Sequence, residues 1–312
     1  MSAESDHRAV TDWRALGQRL SNWQRWGPDD QLGTRNLITP DRVANAARLV
    51  RTGKVFDLGI PFDEHGPQAG ELRSNPRRLM SVIGGVSGPG AQRFNDDWVI
   101  MPLQAASQWD ALSHVYYDDL MYNGVPSSAV DAGGAHRLGI ETQAKGVVGR
   151  GVLLDVAAFE EVDWLPGGYV ITPEQLDAVA AQQGVEVGPG DIVLIRTGWR
   201  RRFLHDRDAA AFLAEEPGIG LECLAWLKEK DVAALASDNW AVEAVPFQLT
   251  EEVFPVHMVM IRDMGLLVGE MWDLEELADD CRSDGVYEFQ LCAPVLKFTG
   301  AVGTPLNPLA LK

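Results

Sequence analysis

Asp191-Ile-Val-Leu-Ile-Arg196 places four apolar residues in a row between two charges. No polar residue alternates with them, so the run reads as a strand covered on both faces, central in a sheet. Upstream, Thr172-Pro173-Glu174-Gln175 is a helix start. Thr is at the N-cap, Pro at the first helical position, and Gln at the third completes a capping box. That helix is expected to run to about Gln183 and stop at Gly184, and a short buried strand, Gly151 to Asp155, precedes it. Downstream, a helix from about Gly220 to Lys228 feeds a strand from Val232 to Ala236. Strand and helix thus alternate from residue 150 to 240, which is the α/β pattern.

The flanks are richer in strand and loop. Thr39-Pro40 opens a helix over Asp41 to Arg51, ended by Gly53, and Lys54 to Ile60 reads as a strand. Residues 61–76 form an exposed loop, and Gly84 to Gly90 reads as a flexible flap, since it lacks both the G-K-[ST] ending and the G-x-G-x-x-G spacing of phosphate cradles. Trp98 to Leu103 is an apolar strand. An apolar run, Phe254 to Ile261, a helix, Leu274 to Cys281, and a last strand near Phe289 to Phe298 close the chain. With no internal repeat and no linker, residues 1–312 read as one mixed α/β domain with a β-rich core. A Trp-rich helical arm, about 11–27, precedes it. Trp13, Leu16, Leu20 and Trp23 share one face there, and with Trp26 they need a surface to cover them, on this chain or on a partner subunit.

Composition narrows the function. The 312 residues are 46% hydrophobic and 23% charged, ordinary for a globular chain with a sizeable core. A net charge of -18 disfavours nucleic acid and anionic membrane surfaces as partners. Cys223, Cys281 and Cys292 are too few and too scattered for a disulfide framework or a C-x-x-C zinc site, and are expected as buried thiols in a reducing cytoplasm. Met1 to Val10 is polar and carries no signal-peptide core, and no apolar stretch is long enough to span a membrane.

The chemistry gathers in Gln104 to Gly124, Q-A-A-S-Q-W-D-A-L-S-H-V-Y-Y-D-D-L-M-Y-N-G. Asp110 and His114 stand four residues apart. Gln104 and Gln108 supply amides, and Trp109, Tyr116 and Tyr122 supply walls for a flat organic group. A second polar cluster, Ser237-Asp238-Asn239, follows the Val232 strand, where α/β folds carry function, so Asn239 joins the candidates. Of the six histidines, His7, His65 and His205 fall in polar or charged segments, and His136 in a glycine-rich loop. His257 differs, since it lies in F-P-V-H-M-V-M-I with Glu270 beyond the next turn. Asp110, His257 and Glu270 compose a ligand set suited to Zn²⁺ or Mn²⁺. No G-x-S-x-G elbow, Cys–His pair or H-E-x-x-H helix is present.

These segments resemble the cyclase / kynurenine-formamidase-like hydrolases, which include bacterial arylformamidase and isatin hydrolase. The likeness is carried by residues 29–43, 108–114, 149–157, 190–199, 237–243 and 257–270. It implies a swivelling β/β/α-type domain, assembly into dimers or tetramers, and metal-assisted cleavage of cyclic amides, lactones or formamides. The family signature H-x-G-T-H-x-D-x-P-x-H appears here as Q-A-A-S-Q-W-D-A-L-S-H, with Asp110 and His114 kept and two histidine ligands replaced by Gln104 and Gln108. The likeness further implies a metal on Asp110, His257 and Glu270.

The expected activity is therefore hydrolysis of a cyclic amide, imide, lactone or N-formyl bond in a small molecule. His114 is the general acid/base beside Asp110. Gln104, Gln108, Trp109, Tyr116, Tyr122 and Asn239 hold the substrate, and one Zn²⁺ or Mn²⁺ assists. The alternatives are a metal-free acid/base enzyme (a cyclase, dehydratase or hydratase) and a member that binds a small molecule without turnover.

Overall fold

The computed structural model describes residues 12–70 and 72–312. The readings of Met1 to Val10, His7 among them, and of the first residue of the Trp-rich arm lie outside the described residues.

Nine strands form one mixed sheet. In chain order they are β1 (Val55–Asp57), β2 (Gln108–Asp110), β3 (Val148–Asp155), β4 (Ile192–Arg196), β5 (Ala234–Ser237), β6 (Leu267–Glu270), β7 (Glu288–Cys292), β8 (Gly303–Pro305) and β9 (Leu309–Leu311). Their spatial order is β1-β9-β7-β3-β4-β5-β6-β2-β8. The centre, β3-β4-β5-β6, is parallel, and the outer strands pair antiparallel on both sides. The chain is thus a single mixed α/β domain.

The apolar run of β4 is buried on both faces. Val193 and Ile195 join Val152, Leu154, Leu235 and Val268 in one core, which the helices Pro173–Gln183 and Cys223–Glu229 cover. Ile192 and Leu194 point the other way, into a second core with Trp109, Trp272 and Phe289. Parallel strands need such cover on both sides. Thr172 caps its helix by accepting the amide of Gln175, and Gly184 ends it in the left-handed conformation at φ 65°. The three cysteines are free thiols, with Cys223 and Cys281 buried. Among the described residues no helix is long and apolar enough to cross a membrane.

Three segments take a form that their sequence reading left open or gave differently. The flap is the tip of a β-hairpin, Arg77–Gly85 with Phe94–Ile100, and the expected strand Trp98 to Leu103 is the end of it. The apolar run at 254–261 is helical: a short helix, Pro255–His257, continues as a π turn, Met258–Asp263. The Trp-rich arm folds back on its own chain. Trp13 is buried beside Tyr117, with ring centroids 4.7 Å apart, and the Trp23 indole donates to the Arg262 carbonyl at 2.7 Å.

Candidate active site

Strand pairing assembles the acidic half of the site. Antiparallel β2 and β6 set Gln108 opposite Glu270. Side chains two apart on a strand share a face, so Gln108 and Asp110 both point toward Glu270. The Gln108 amide nitrogen donates to Glu270 Oε2 at 2.6 Å and to Asp110 Oδ1 at 3.2 Å. The same alternation sends Trp109 to the opposite face. There it packs edge-on against Trp272, centroids 4.9 Å apart, and donates to the Ala293 carbonyl at 3.0 Å.

His257 completes the cluster from the helical turn after the left-handed residue Phe254. Glu243 fixes this turn. Its carboxylate accepts the backbone N–H of Val256 at 3.2 Å, that of His257 at 2.9 Å, and His257 Nδ1 at 2.7 Å. The other ring nitrogen, Nε2, lies 3.0 Å from Glu270 Oε1. Burial alone would lower the proton affinity of the ring. The bonds to Glu243 and Glu270 outweigh it and push His257 up to about 10, an imidazolium held between two carboxylates. Asp110 is pushed up to about 6 by burial, an effect that His114 opposes and Glu270 reinforces. Nearby Glu216 is raised well above the usual carboxylate range by burial, although the amides of Trp240 and Ala241 donate to it.

One oxygen each from Asp110 and Glu270 and one nitrogen of His257 lie within 4.8 Å of one another. Asp110 Oδ2 is buried with no hydrogen-bond partner. An orphaned carboxylate oxygen costs free energy unless something positive or protic meets it. Two carboxylates and one imidazole suit Zn²⁺ or Mn²⁺, and the Glu243 bond to Nδ1 is the contact that orients a ligating histidine. The residues therefore fit a divalent ion, with one adjustment. Gln108 now turns its N–H₂ toward the two carboxylates and leaves its oxygen unpartnered. Turned over, the amide would aim an oxygen at two carboxylates, an arrangement that needs a cation between them.

His114 stands beside the cluster, half-buried, with Nε2 3.8 Å from Asp110 Oδ1. Together these four residues line a cavity of about 70 Å³, walled on its other side by Leu72, Arg73, Val115, Trp240, Ala241 and Phe254.

The structure brings Gln108, Asp110, His114, His257 and Glu270 together and sends the other candidates elsewhere. Gln104 is buried next to Gly303, where an added Cβ would meet its amide nitrogen at 2.5 Å, and it does not line the cavity. Trp109 is excluded by the pleat. Tyr116 is 40% exposed, outside the lining. Tyr122 is buried in the core, its hydroxyl donating to Asp30 at 3.0 Å. Asn239 is a structural residue, donating to the Pro217 carbonyl at 2.6 Å and accepting the Val242 amide at 3.0 Å. The aromatic walls are instead Trp240 and Phe254, 5.9 Å apart. Glu243 and Arg73 were also not anticipated. Glu243 ends the S-D-N-W-A-V-E segment, and that was the available signal for it. Nothing in the polar loop around Arg73 marks it out.

A family model described as "Putative cyclase" matches residues 56–244. No curated protein matches the chain. Among solved structures, one described as a novel cyclase is 44% identical, with a TM-score of 0.88 over 94% of this chain and 100% of its own. Isatin hydrolase A from Ralstonia solanacearum is 22% identical, with a TM-score of 0.63 over 88% of this chain and 97% of its own. A "predicted metal-dependent hydrolase" from Bacillus stearothermophilus is 17% identical, with a TM-score of 0.54 over 83% of this chain and 98% of its own. At these last two identities the likeness concerns the fold.

Proposed function

This chain belongs to the cyclase family, and on that premise we propose that it is a hydrolase opening a cyclic amide, imide or lactone, or cleaving an N-formyl bond. The observation that carries the reading is the convergence of Asp110, His257 and Glu270 with His114 around one cavity. Asp110, His257 and Glu270 are the residues that would hold Zn²⁺ or Mn²⁺, and such an ion supplies Lewis-acid activation of a carbonyl or of water. His114 takes the proton of the attacking water and returns it to the leaving nitrogen or oxygen, the role imidazole fills most often. Asp110, 3.8 Å away, is placed to stabilise the imidazolium in between. Glu243 holds the His257 ring and its tautomer. Trp240 and Phe254 confine the organic part of the substrate.

One observation favours a metal-free variant of the same chemistry. The Gln108 amide already bridges Asp110 and Glu270 with its hydrogens. In that variant His114 and Asp110 run acid/base chemistry alone. Metal content of protein purified without chelator separates the two. A panel of lactones, cyclic imides and formylanilines, assayed with and without Zn²⁺ or Mn²⁺, tests the activity. Turnover that survives His114→Ala at the wild-type rate refutes both.

The chain is further proposed to work as a homo-oligomer. The support is the hairpin at 77–100, which presents Ile83 at 80% and Trp98 at 66% exposure, with Leu79, Val99 and Ile100 beside them. Large apolar side chains gathered on one projection usually mark an interface.

A further inference from the structure

The cavity at Asp110 is too small for the molecule it would process. One benzene ring occupies an engineered cavity of about 150 Å³, and this one offers about 70 Å³. A scissile carbonyl fits there, and the body attached to it does not. A second cavity, of about 320 Å³, adjoins it and shares Leu72, Arg73 and Trp240 with it. Beyond those shared residues its walls are Gln68, Ala69 and Gly70 on one side and Ala210, Leu213 and Ala214 on the other.

The chemistry of this second cavity is one-sided. Apart from Gln68 and Arg73, its walls among the described residues are aliphatic groups and an indole face. Gln68 is already engaged, donating to the Ala105 carbonyl at 3.1 Å. Polar capacity remains at the junction of the two cavities. Arg73 Nη1 donates to the Gln104 carbonyl at 3.2 Å, its guanidinium lies 5.7 Å from the Trp240 ring, and its charge acts on Asp110. The Trp240 indole N–H is buried with no acceptor. A buried donor without an acceptor is costly, and a ligand atom that accepts from it removes that cost.

We propose that the cavity lined by Ala210, Leu213 and Ala214 is a substrate subsite for an uncharged apolar arm of one ring or a branched alkyl group. Arg73 and Trp240 grip an acceptor oxygen where the arm meets the reacting group. The inference rests on the reading of Asp110, His114, His257 and Glu270 as the reacting centre. It makes the enzyme selective for substrates extended by a ring, not for the smallest lactones or formamides. Arg73 is then a binding residue that also separates reacting centre from arm.

The test is affinity, so its failure is told apart from failure of the hydrolase reading, which turnover tests. Acetamide and benzamide are titrated by calorimetry into the full-length protein. The wild type is expected to bind benzamide at least tenfold more tightly than acetamide, since its ring is buried in the subsite. Ala210→Phe and Ala214→Phe fill the cavity from exposed positions of one short helix, so at least one should fold. In each the ratio of the two affinities is expected to fall to within about twofold of unity. Arg73→Ala should weaken both amides by a common factor of about ten, as loss of one charged hydrogen bond does. Equal affinities in the wild type, failure to bind either amide included, overturn the proposal. So does a tenfold ratio that persists in both Phe variants.

Discussion

Glu243→Ala should be among the most damaging single changes in this chain that remove no group touching substrate. The carboxylate accepts three hydrogen bonds, from the amides of Val256 and His257 and from His257 Nδ1, at 3.2, 2.9 and 2.7 Å. Glu243 is 1% exposed, so water cannot replace it without rearrangement. Each donor left unmet costs about 1–3 kcal/mol. The three share one acceptor and will not add fully, so a loss of about 4–6 kcal/mol is expected. That is a large part of the roughly 5–15 kcal/mol of a typical domain. Glu243→Gln keeps an acceptor oxygen and should lose only about 1–2 kcal/mol. Urea unfolding of metal-stripped protein measures both. The milder variant then tests the site, because the bond that fixes the His257 ring is weakened while the turn survives. Zn²⁺ or Mn²⁺ affinity should drop about 10- to 100-fold. A Glu243→Ala protein within 1 kcal/mol of wild type would refute the three-bond account. Unchanged metal affinity in Glu243→Gln would refute the orienting role.

Further outcomes are expected. His114→Ala should lower kcat at least about 100-fold with the unfolding curve unchanged, checked on whichever substrate the panel yields. Gln108→His should tighten Zn²⁺ at least about tenfold by equilibrium dialysis, because imidazole replaces an amide that now donates to both carboxylates. Metal uptake should release roughly one proton per ion and strengthen with rising pH, since His257, pushed up to about 10, must lose a proton to ligate. Calorimetry in two buffers of different ionisation enthalpy reads this directly, and uptake independent of pH would count against His257 as a ligand. The paired change Ile83→Ser with Trp98→Ser should shift the mass by light scattering toward one 34.2 kDa chain. A wild type already at that mass would end the oligomer proposal.

The sequence was most legible where backbone and burial spoke together. The apolar run at β4, the Thr-Pro helix starts and the glycine stops predicted the central parallel sheet, because each depends on neighbours in the chain. Asp110, His257 and Glu270 could be named through the family likeness, though 160 residues of chain separate the first from the last. The aromatic wall was misread for a local reason. Trp109 adjoins Asp110 in the chain, and the sequence expectation gave both to one site. As the strand β2 they alternate, and Trp109 belongs to the second core. Asn239 shows the limit of position as a guide. A polar cluster at the end of a parallel strand can serve chemistry or tie loops together. Asp238 and Asn239 do the second, with Asp238 accepting the amides of Thr197 and Gly198. The hairpin at 77–100 was missed because its strands have no buried face, so no period of 2 marks them.

The replacement of two histidines by glutamines need not empty the site of purpose. Buried carboxylates repel one another, and Asp110 and Glu270 would be driven apart or protonated without a group between them. Gln108 supplies that group as hydrogens on a neutral amide, and His257 supplies it as a charge. A neutral histidine at position 108 would bring one N–H where the amide brings two. The glutamine ties the two carboxylates together through its hydrogens and, with its amide turned over, would offer an oxygen to an ion. The two orientations would differ in which atoms meet Asp110 and Glu270, so an ion bound there would shift the balance between them. The Gln108 oxygen and Asp110 Oδ2 are the buried atoms of this cluster without a hydrogen-bond partner. Substituting Gln108→Leu removes both orientations at once. It should then weaken folding without metal and metal binding together, whereas a side chain that merely fills space would lose neither.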